Sequence, residues 1–435
     1  MEINRQKFSQ LILYSLAYLV LLRTSSMGFG YPSAEYLLSR ISFTPQKLMQ
    51  MLALLLLALF IFVNGWASIK WFKISTAVYL LMLGILLSIA NSEHSLLALR
   101  FLISMLAITL PLYVFYRFYG SYALYRVWLN FAMACIIINF LYVLAFPQYG
   151  IMSANHAGAW RGLFVHKNMA GSFFALTSCL LYFEAFYYQR SKFNVYSLLF
   201  ALSCLFVLLA HSTTAIFILL GCIGSFQVMM LVTQLSSSRA KLWLLIGYAS
   251  ILTAGYTLLT TYLEDILAFF GKDPSLTGRT GLWDVLVQLS FDKPILGYGL
   301  GIFHRPEIML QFSSEFGWEA KSTHSSYVDI ILGVGYPTSI LFLGLLIRAA
   351  VGALLTATPS SQHANFLAMI VAIMVGVLLF SAASSGAMLG NGIVWLLLFS
   401  SLLICNSISK MNKAPQHSAR AVMASKVITN ESTSF

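Results

Sequence analysis

A histidine at the start of an apolar segment is the side chain best placed for chemistry in this sequence. His324 follows a long polar stretch and precedes Ser325, and the run GYPT at residues 335–338 lies deeper in the same apolar segment. An ordinary imidazole, with a pKa of about 6.5, is largely neutral at pH 7 and can accept a proton. This placement is typical of chemistry at a membrane surface, where one reactant arrives on a lipid and the other from water. The alternative is a histidine that only caps a helix.

A second candidate is Arg279, in the sequence LTGRTGLW at residues 276–283. The Thr-Gly turn leads into an amphipathic stretch, which predicts that Arg279 lies near the N-terminus of a helix. A cation there opposes the helix dipole, whereas helix-start amides and a guanidinium together form a phosphate site. Arg279 is therefore a candidate anion ligand. The alternative is an arginine that stacks on Trp283 and anchors the loop at the membrane interface.

A third group of basic side chains lies in the polar segment 147–168. Arg161, His166 and Lys167 fall within seven residues of one another, on what is predicted to be the outer side. The positive-inside tendency disfavours such a cluster, and an anionic ligand would account for it. Lipid headgroups are the alternative ligand.

A further candidate, Arg100, lies within an apolar segment. A charge there is costly and is by default functional. The alternative is that its long side chain reaches the outer surface.

The composition requires that most of the surface lies in lipid. The chain has 435 residues, of which 59% are hydrophobic and only 9% charged, whereas a soluble domain carries about 25% charged residues. The net charge of +12 is spread singly between hydrophobic segments, which sets topology and argues against a nucleic-acid partner. The five cysteines lie in apolar segments without close pairing, so we expect neither disulfides nor metal ligands there.

The hydrophobic pattern predicts an all-α polytopic membrane protein. A helix needs about 20 apolar residues to cross a bilayer, and about twelve such spans are predicted, near residues 9–30, 48–66, 74–91, 96–116, 125–146, 169–188, 194–210, 213–233, 241–262, 324–347, 363–383 and 387–405. One large outer loop separates the ninth span from the tenth. Residues 282–290 of this loop are amphipathic and are predicted to lie flat on the bilayer.

Four parts follow from this pattern. Residues 1–262 hold the first nine spans together with the outer loop 147–168. Residues 263–323 form the large loop, and residues 324–405 hold the last three spans. Residues 406–435 form a polar, serine-rich tail that is predicted to be a mobile cytoplasmic extension.

The distribution of lysine and arginine predicts the orientation. With the N-terminus inside, most basic residues lie in or beside cytoplasmic segments, and the short outer loops hold only Arg23, Arg40, Arg161 and Lys167. This positive-inside bias places both termini in the cytoplasm and the large loop on the opposite side.

Several catalytic motifs are absent from the sequence. There is no P-loop, no HExxH and no DxD, so we expect no metal and no nucleotide cofactor, and any sugar chemistry needs a donor that arrives already activated. A twelve-span transporter is the alternative from a different functional class. It predicts coupling charges or broken helices in matching halves, and the sequence shows neither pattern.

Three short motifs resemble the O-antigen ligase and polysaccharide polymerase family of bacterial inner-membrane proteins. They are RGLFVHKNMAG at residues 161–171, LTGRT at 276–280 with Trp283 and PILGYG at 294–299, and His324-Ser325 with Gly335 and Thr338. The HKN and LTGRT elements are most similar to exopolysaccharide polymerases of the succinoglycan type. The motifs run from about residue 155 to 340, and the first 150 residues match only in being hydrophobic.

The resemblance implies a metal-independent glycosyltransferase whose donor is an oligosaccharide on undecaprenyl pyrophosphate. By position, Arg161 and Arg279 would bind the pyrophosphate and His324 would be the general base. His166 and Lys167, in the first motif, would be further substrate-binding residues. Arg100 lies outside the motifs and is a substrate-binding candidate only because a charge in an apolar segment is costly. The implied site is the periplasmic face of the inner membrane, and the implied partners are a glycan or lipid acceptor, membrane lipids and a chain-length regulator.

The family resemblance leaves two activities open. A polymerase joins lipid-linked repeat units into an exopolysaccharide, capsule or O-antigen, whereas a ligase transfers the glycan from the same donor to lipid A-core or to a protein. The sequence predicts the polymerase and keeps the ligase as the alternative, because no residue identifies the acceptor.

Overall fold

The computed structural model describes all residues except 1, 26, 28–44, 66–74, 154–155, 189–193, 263–278, 313–319, 321, 360–362, 383–387 and 432–435. The described residues form an all-α fold. Its helices are α1 (Glu2–Thr24), α2 (Pro45–Asn64), α3 (Thr76–Ala90), α4 (Ser95–Ala145), α5 (Pro147–Gly150), α6 (Lys167–Phe183), α7 (Val195–Leu209), α8 (Thr213–Gln234), α9 (Ser238–Thr261), α10 (Arg279–Asp292), α11 (Pro306–Phe312), α12 (Ser326–Thr356), α13 (Ala364–Ala382) and α14 (Ile393–Glu431).

Seven helices in this part of the chain are long and apolar enough to cross a membrane, namely α2, α4, α6 with its continuation to Tyr188, α8, α12, α13 and α14 as far as Lys413. The predicted all-α membrane class is therefore confirmed, while the number of twelve spans stays a prediction. Helix α4 leaves helical geometry at Gly120, where φ is 80° and ψ is −175°. The predicted spans 96–116 and 125–146 lie on the two sides of this break.

Two helices differ from the prediction. Helix α14 continues to Glu431 instead of ending near residue 405, because the predicted tail contains strong helix formers such as alanine, lysine and methionine. Helix α10 contains the predicted amphipathic stretch, but it also packs against α12 and buries Leu282 and Leu286. Val287 and Phe291 remain exposed on its other side.

The described core is built around α6, α8 and α13. Helix α13 packs along α8, and α6 packs against both α7 and α8. All five cysteines are free, and four of them (Cys135, Cys179, Cys222 and Cys405) are buried. Lys241 in α9 is also buried, and its Nζ donates to the carbonyl oxygens of Leu354 (2.9 Å) and Ala357 at the end of α12. A lysine at this place satisfies carbonyls that the helix end leaves open.

One buried carboxylate lies in the core. Helix α6 continues as a π-helical turn, Glu184–Tyr188, and Glu184 is fully buried. The hydroxyl of Tyr125 donates to Glu184 Oε1 at 2.7 Å, and Arg126 Nη1 approaches the same oxygen at 3.3 Å. Both partners belong to α4, so this cluster fixes α4 against α6.

Helix directions bring several chain segments to one end of the bundle. The hydroxyl of Tyr327, in the first turn of α12, donates to the carbonyl of Leu378 near the end of α13 (3.1 Å). Leu379 packs against α8 near Gly221, in the first half of that helix. Helices α8 and α12 therefore begin at the end of the bundle where α13 finishes.

Candidate functional site

His324 lies immediately before α12, as predicted, in an unusual backbone conformation. Its φ is +53°, which non-glycine residues seldom adopt, and Ser325 takes the N-cap position of the helix. The preceding residue, Thr323, is buried, and its hydroxyl donates to the carbonyl of Ser325 at 3.0 Å. A local hydrogen bond thus stabilises the turn that presents the half-buried imidazole at the helix start.

Helix α10 holds this turn from outside. The indole Nε1 of Trp283 donates to the carbonyl of Thr323 at 2.9 Å. At the other end of α10, the hydroxyls of Ser290 and Tyr336 share a hydrogen bond of 2.7 Å. These two contacts fix α10 along the first half of α12. Trp283 therefore supports the His324 segment, a role that the alternative of arginine stacking did not include.

The turn at residues 294–301 is docked into a break in α12. The amide of Tyr298 donates to the carbonyl of Leu332 (2.7 Å), and the amide of Gly299 donates to that of Gly333 (2.9 Å). In return, the amide of Tyr336 donates to the carbonyl of Pro294 (2.8 Å). Pro337 has no amide hydrogen to donate to the Gly333 carbonyl, and the non-helical backbone at Gly335 separates the Tyr336 amide from the Leu332 carbonyl, so these groups are open to the turn.

Two glycines permit this close approach. Gly335 has a φ of +75°, and a side chain there would overlap the carbonyl of Ile295. Gly297 has a φ of +65°, and a Cβ there would come within 2.5 Å of the Leu332 carbonyl oxygen. The structure thus places the PILGYG turn against this part of α12. This motif is therefore part of the framework behind His324.

A buried carboxyl group lies close to the start of α12. Asp329 is 6% exposed, its amide donates to the carbonyl of Ser325 (3.0 Å), and its Oδ1 has no hydrogen-bond partner among the described residues. The imidazole of His304, in the short 3₁₀ segment Ile302–His304, is close enough to interact with it electrostatically. The described contacts therefore leave one oxygen of this buried carboxyl group unpaired, which is costly.

The second predicted group lies in a compact loop before α6. Arg161 Nε donates to the carbonyl of Tyr149 (2.8 Å), and its amide donates to that of Gly150 (2.9 Å). The amide of Leu163 donates to the buried side chain of Asn139 in α4 (2.8 Å). These bonds hold the Arg161 guanidinium at the edge of the loop.

His166 and Lys167 mark the start of α6. His166 is the N-cap residue, and its Nδ1 accepts a hydrogen bond from the amide of Asn168 (3.2 Å). Its ring meets that of His156 edge to face, with the centroids 5.3 Å apart. Lys167 Nζ donates to the carbonyl of His211 (3.0 Å), in the turn between α7 and α8. This contact ties the loop to the start of α8, at the same end of the bundle as His324.

The structure gives fewer contacts for the remaining two predicted residues, Arg279 and Arg100. Arg279 is the first described residue of α10, so its position at a helix start stays a prediction, and its side chain lies outside the described part of the chain, as does the LTG sequence before it. Arg100 is exposed in the second turn of α4. The described contacts bring Arg161, His166 and Lys167 together in one group and His324 and α10 in another. A single cavity shared by both groups stays a prediction.

Arg23 has a structural role that its predicted position as an outer charge does not indicate. Arg23 lies in the last turn of α1, and its guanidinium donates to the carbonyl of Asn391 (2.8 Å), to Gln50 Oε1 and to Ser104 Oγ (both 3.3 Å). It therefore joins four separated parts of the chain. A charge at the end of an apolar helix was the available signal.

Metal-binding groups are also relevant to the chemistry of the site. Within the described residues, no cluster of three or more histidine, cysteine, aspartate or glutamate side chains could hold a metal ion.

Comparison with known proteins finds a family similarity in the part of the chain that contains His324. A family model described as O-antigen ligase matches residues 198–343, about a third of the chain. No curated protein matches the sequence. The matched stretch contains α10, the docked turn and His324, whereas Arg161, His166 and Lys167 precede it. Residues 198–343 are thus similar to O-antigen ligases, and the helix-start histidine lies inside the similar region.

Proposed function

We propose that this protein transfers a glycan from a polyprenyl-pyrophosphate carrier to the hydroxyl group of an acceptor glycan, and so polymerises lipid-linked repeat units. The observation that carries the proposal is His324, held at the start of α12 by Thr323 and Trp283 within the region similar to O-antigen ligases. A half-buried imidazole at a helix start has the position that a general base needs at a membrane surface.

The proposed reaction divides the work between histidine and arginines. His324 takes the proton of the acceptor hydroxyl, whose oxygen attacks the anomeric carbon as the bond to the pyrophosphate oxygen breaks. General-base catalysis of this kind contributes ~10²–10⁴-fold. Arg161 and Arg279 stabilise the charge that develops on the departing pyrophosphate. His166, Lys167 and Arg100 are proposed as further contacts to the lipid-linked donor.

The proposal includes a topology. Twelve spans, with both termini in the cytoplasm, place the loop 147–168 and the loop 263–323 on the periplasmic side of the bacterial inner membrane. The shared location of Lys167 and of the start of α12 at one end of the bundle supports this arrangement. We further propose a donor on undecaprenyl pyrophosphate, catalysis without a metal, and a chain-length regulator as an additional partner.

The experiment uses purified protein in nanodiscs with the lipid-linked repeat unit of the source strain. His324→Asn removes the imidazole, and asparagine tolerates a positive φ, so the fold should survive. We expect transfer to fall by ~10²–10⁴-fold. His211→Asn is the matched control, because His211 also has a positive φ, of +48°, and should keep its activity. Robust turnover in His324→Asn would falsify the base assignment.

A ligase is the second candidate, because the matching family model carries that description. Deletion of the gene separates the two activities. Loss of the high-molecular-weight polysaccharide supports the polymerase. Accumulation of free polymer that is not attached to lipid A-core or protein supports the ligase.

A further inference from the structure

A buried asparagine lies beneath the turn that carries Arg161. Asn139 belongs to α4, is fully buried, and lies in the half of the helix that follows the break at Gly120. A polar side chain is costly inside a membrane-spanning helix unless hydrogen bonds satisfy it. Its Nδ2 donates to the carbonyl of Cys135 (2.8 Å), one turn earlier in α4, whereas its Oδ1 accepts from the amide of Leu163 (2.8 Å). The acceptor of this side chain is therefore used on the loop, outside its own helix.

The backbone of the turn is held at three successive amides. The amides of Arg161 and Gly162 both donate to the carbonyl of Gly150 (2.9 and 3.0 Å). The next amide in the chain donates to Asn139 Oδ1. The amide of Phe164 then donates to the carbonyl of Arg161 (3.1 Å), which closes the turn. The backbone of Arg161 therefore has a fixed position relative to α4.

Both acceptors are attached to the same face of α4. Gly150 packs so closely on Val143 that a Cβ added to Gly150 would lie 2.9 Å from the Cα of Val143. Val143 is buried and lies four residues after Asn139, a spacing that places two side chains on one face of a helix. The turn is thus attached to α4 at two points that are one helical turn apart. Together the two attachments restrict its rotation.

The turn is in direct contact with Asn139. Gly162 has a φ of +58°, a conformation that favours glycine, and a Cβ there would overlap Asn139 Oδ1. Glycine therefore allows the turn to lie against the side chain of α4. Because the two groups touch, a change in either one alters the position of the turn.

The guanidinium of Arg161 is the functional group that this framework carries. Its Nε donates to the carbonyl of Tyr149 (2.8 Å), the residue before Gly150. This hydrogen bond orients the plane of the guanidinium. A guanidinium binds phosphate oxygens in a bidentate geometry that depends on direction. A displacement of the turn would therefore weaken the binding of a phosphate group by Arg161.

From these observations, and resting on the proposed function, we infer that Asn139 is a positioning residue of the site that binds the glycan donor. It acts through Arg161 and does not touch the donor itself. Its Oδ1 holds the turn in the position from which the guanidinium binds the pyrophosphate. A buried residue of a membrane-spanning helix thereby sets the affinity for the lipid-linked donor.

The test measures the affinity for undecaprenyl pyrophosphate, without a glycan, by native mass spectrometry of the protein in nanodiscs. Asn139→Ala removes the acceptor of the Leu163 amide without adding volume. We expect roughly tenfold weaker binding, the scale of one charge-assisted hydrogen bond. Asn130→Ala, at an exposed asparagine of the same helix, is the matched control and should bind like wild type.

The variant Arg161→Ala separates a positioning role from a general effect on the fold. If Asn139 acts through Arg161, Asn139→Ala should change the affinity by less than about twofold when Arg161 is already alanine, because residues that act together are not additive. An equal loss in both backgrounds would overturn the inference. Gly162→Ala displaces the turn from the loop side and should show the same dependence on Arg161, so it replaces Asn139→Ala if that variant does not fold.

Failure of this inference is distinguishable from failure of the proposed function. If Arg161→Ala weakens binding while Asn139→Ala and Gly162→Ala bind like wild type, only the positioning role is wrong. If Arg161→Ala binds undecaprenyl pyrophosphate as tightly as wild type, or wild type does not bind it, the proposed role of Arg161 is wrong. The positioning role of Asn139 is then overturned with it.

Discussion

Tyr298 and Leu332 are joined by a backbone hydrogen bond of 2.7 Å that crosses from the large loop into the interior of α12. With the reciprocal bond from Tyr336 to Pro294, it makes the turn a part of the broken helix. A helix break normally leaves its carbonyls to water or to side chains. Here the chain itself supplies the missing donors, so the turn at residues 294–301 and the helix that follows His324 form one framework.

Gly335→Ala should destabilise the protein. A side chain at a positive φ costs on the order of 1–3 kcal/mol, and here it would also displace the carbonyl of Ile295. We expect a lower unfolding temperature in detergent, measured by fluorescence-detected size-exclusion chromatography. Gly344→Ala is the control, because Gly344 lies in the same helix with no atom within 4 Å of an added Cβ. Equal stability of both variants would contradict the docking of the turn.

Trp283→Phe should slow transfer more than it weakens donor binding. The change keeps an aromatic ring but removes the hydrogen bond to the buried Thr323 carbonyl, which costs about 1–3 kcal/mol when left unsatisfied. We expect a lower kcat with little change in KM for the lipid donor. Trp243→Phe, at a tryptophan that is 73% exposed, is the matched control. A KM effect without a kcat effect would argue against a role in positioning His324.

Arg279→Lys should lose most of the transfer activity, because an ammonium group cannot reproduce the bidentate hydrogen bonds of a guanidinium to a phosphate. The measurement is the initial rate with the lipid-linked donor. Arg239→Lys provides the control, since Arg239 lies at a helix start, in α9, but is exposed at the opposite end of that helix from the large loop. Unchanged turnover in Arg279→Lys would contradict pyrophosphate binding and favour the alternative, in which Arg279 anchors the loop at the membrane interface.

Arg126→Met should strongly destabilise the bundle. The substitution removes a partner of the fully buried Glu184 carboxylate, and breaking a buried ion pair costs about 3–5 kcal/mol. Arg126 is partly exposed, so we expect the lower end of this range. The unfolding temperature of Arg126→Met should rise when Glu184→Gln is added, because the second change removes the uncompensated charge. No recovery in the double variant would mean that Arg126 acts through packing alone.

Acid should remove the contribution of the Glu93–Lys293 pair. The pKa of Glu93 is lowered from 4.5 by its hydrogen bond with Lys293, so the pair stabilises the fold above pH 4.5 and this effect is lost as the pH falls through the lowered pKa. The effect is small because both groups lie at the surface. Unfolding temperatures of wild type and Glu93→Gln should differ near neutral pH and converge in acid. A constant difference would contradict this assignment.

Much of the local structure follows from the sequence. The apolar pattern predicts the membrane class, and the amphipathic stretch 282–290 lies in a helix, α10, as its pattern predicts. His324 at a helix start is likewise predicted and found. These features depend on neighbouring residues alone.

Long-range contacts are harder to predict. Neither Tyr298 nor Leu332 signals that their backbones meet, because the pairing depends on where the broken helix exposes its carbonyls. Arg23 gives no sign that its partner is the carbonyl of Asn391, at the far end of the chain. For the same reason, the approach of Arg161 to His324 is a prediction that only a bound donor can test.

Lys241 implies an order of assembly. The carbonyl oxygens that it binds belong to residues 113 and 116 positions later in the chain. During synthesis, the ammonium group of α9 therefore has neither acceptor until the end of α12 has been made. Once both carbonyls are present, Lys241 joins α9, which leads into the large loop, to α12, which follows it. The hairpin that carries the loop can therefore become fixed by this lysine only after residue 357 has been synthesised.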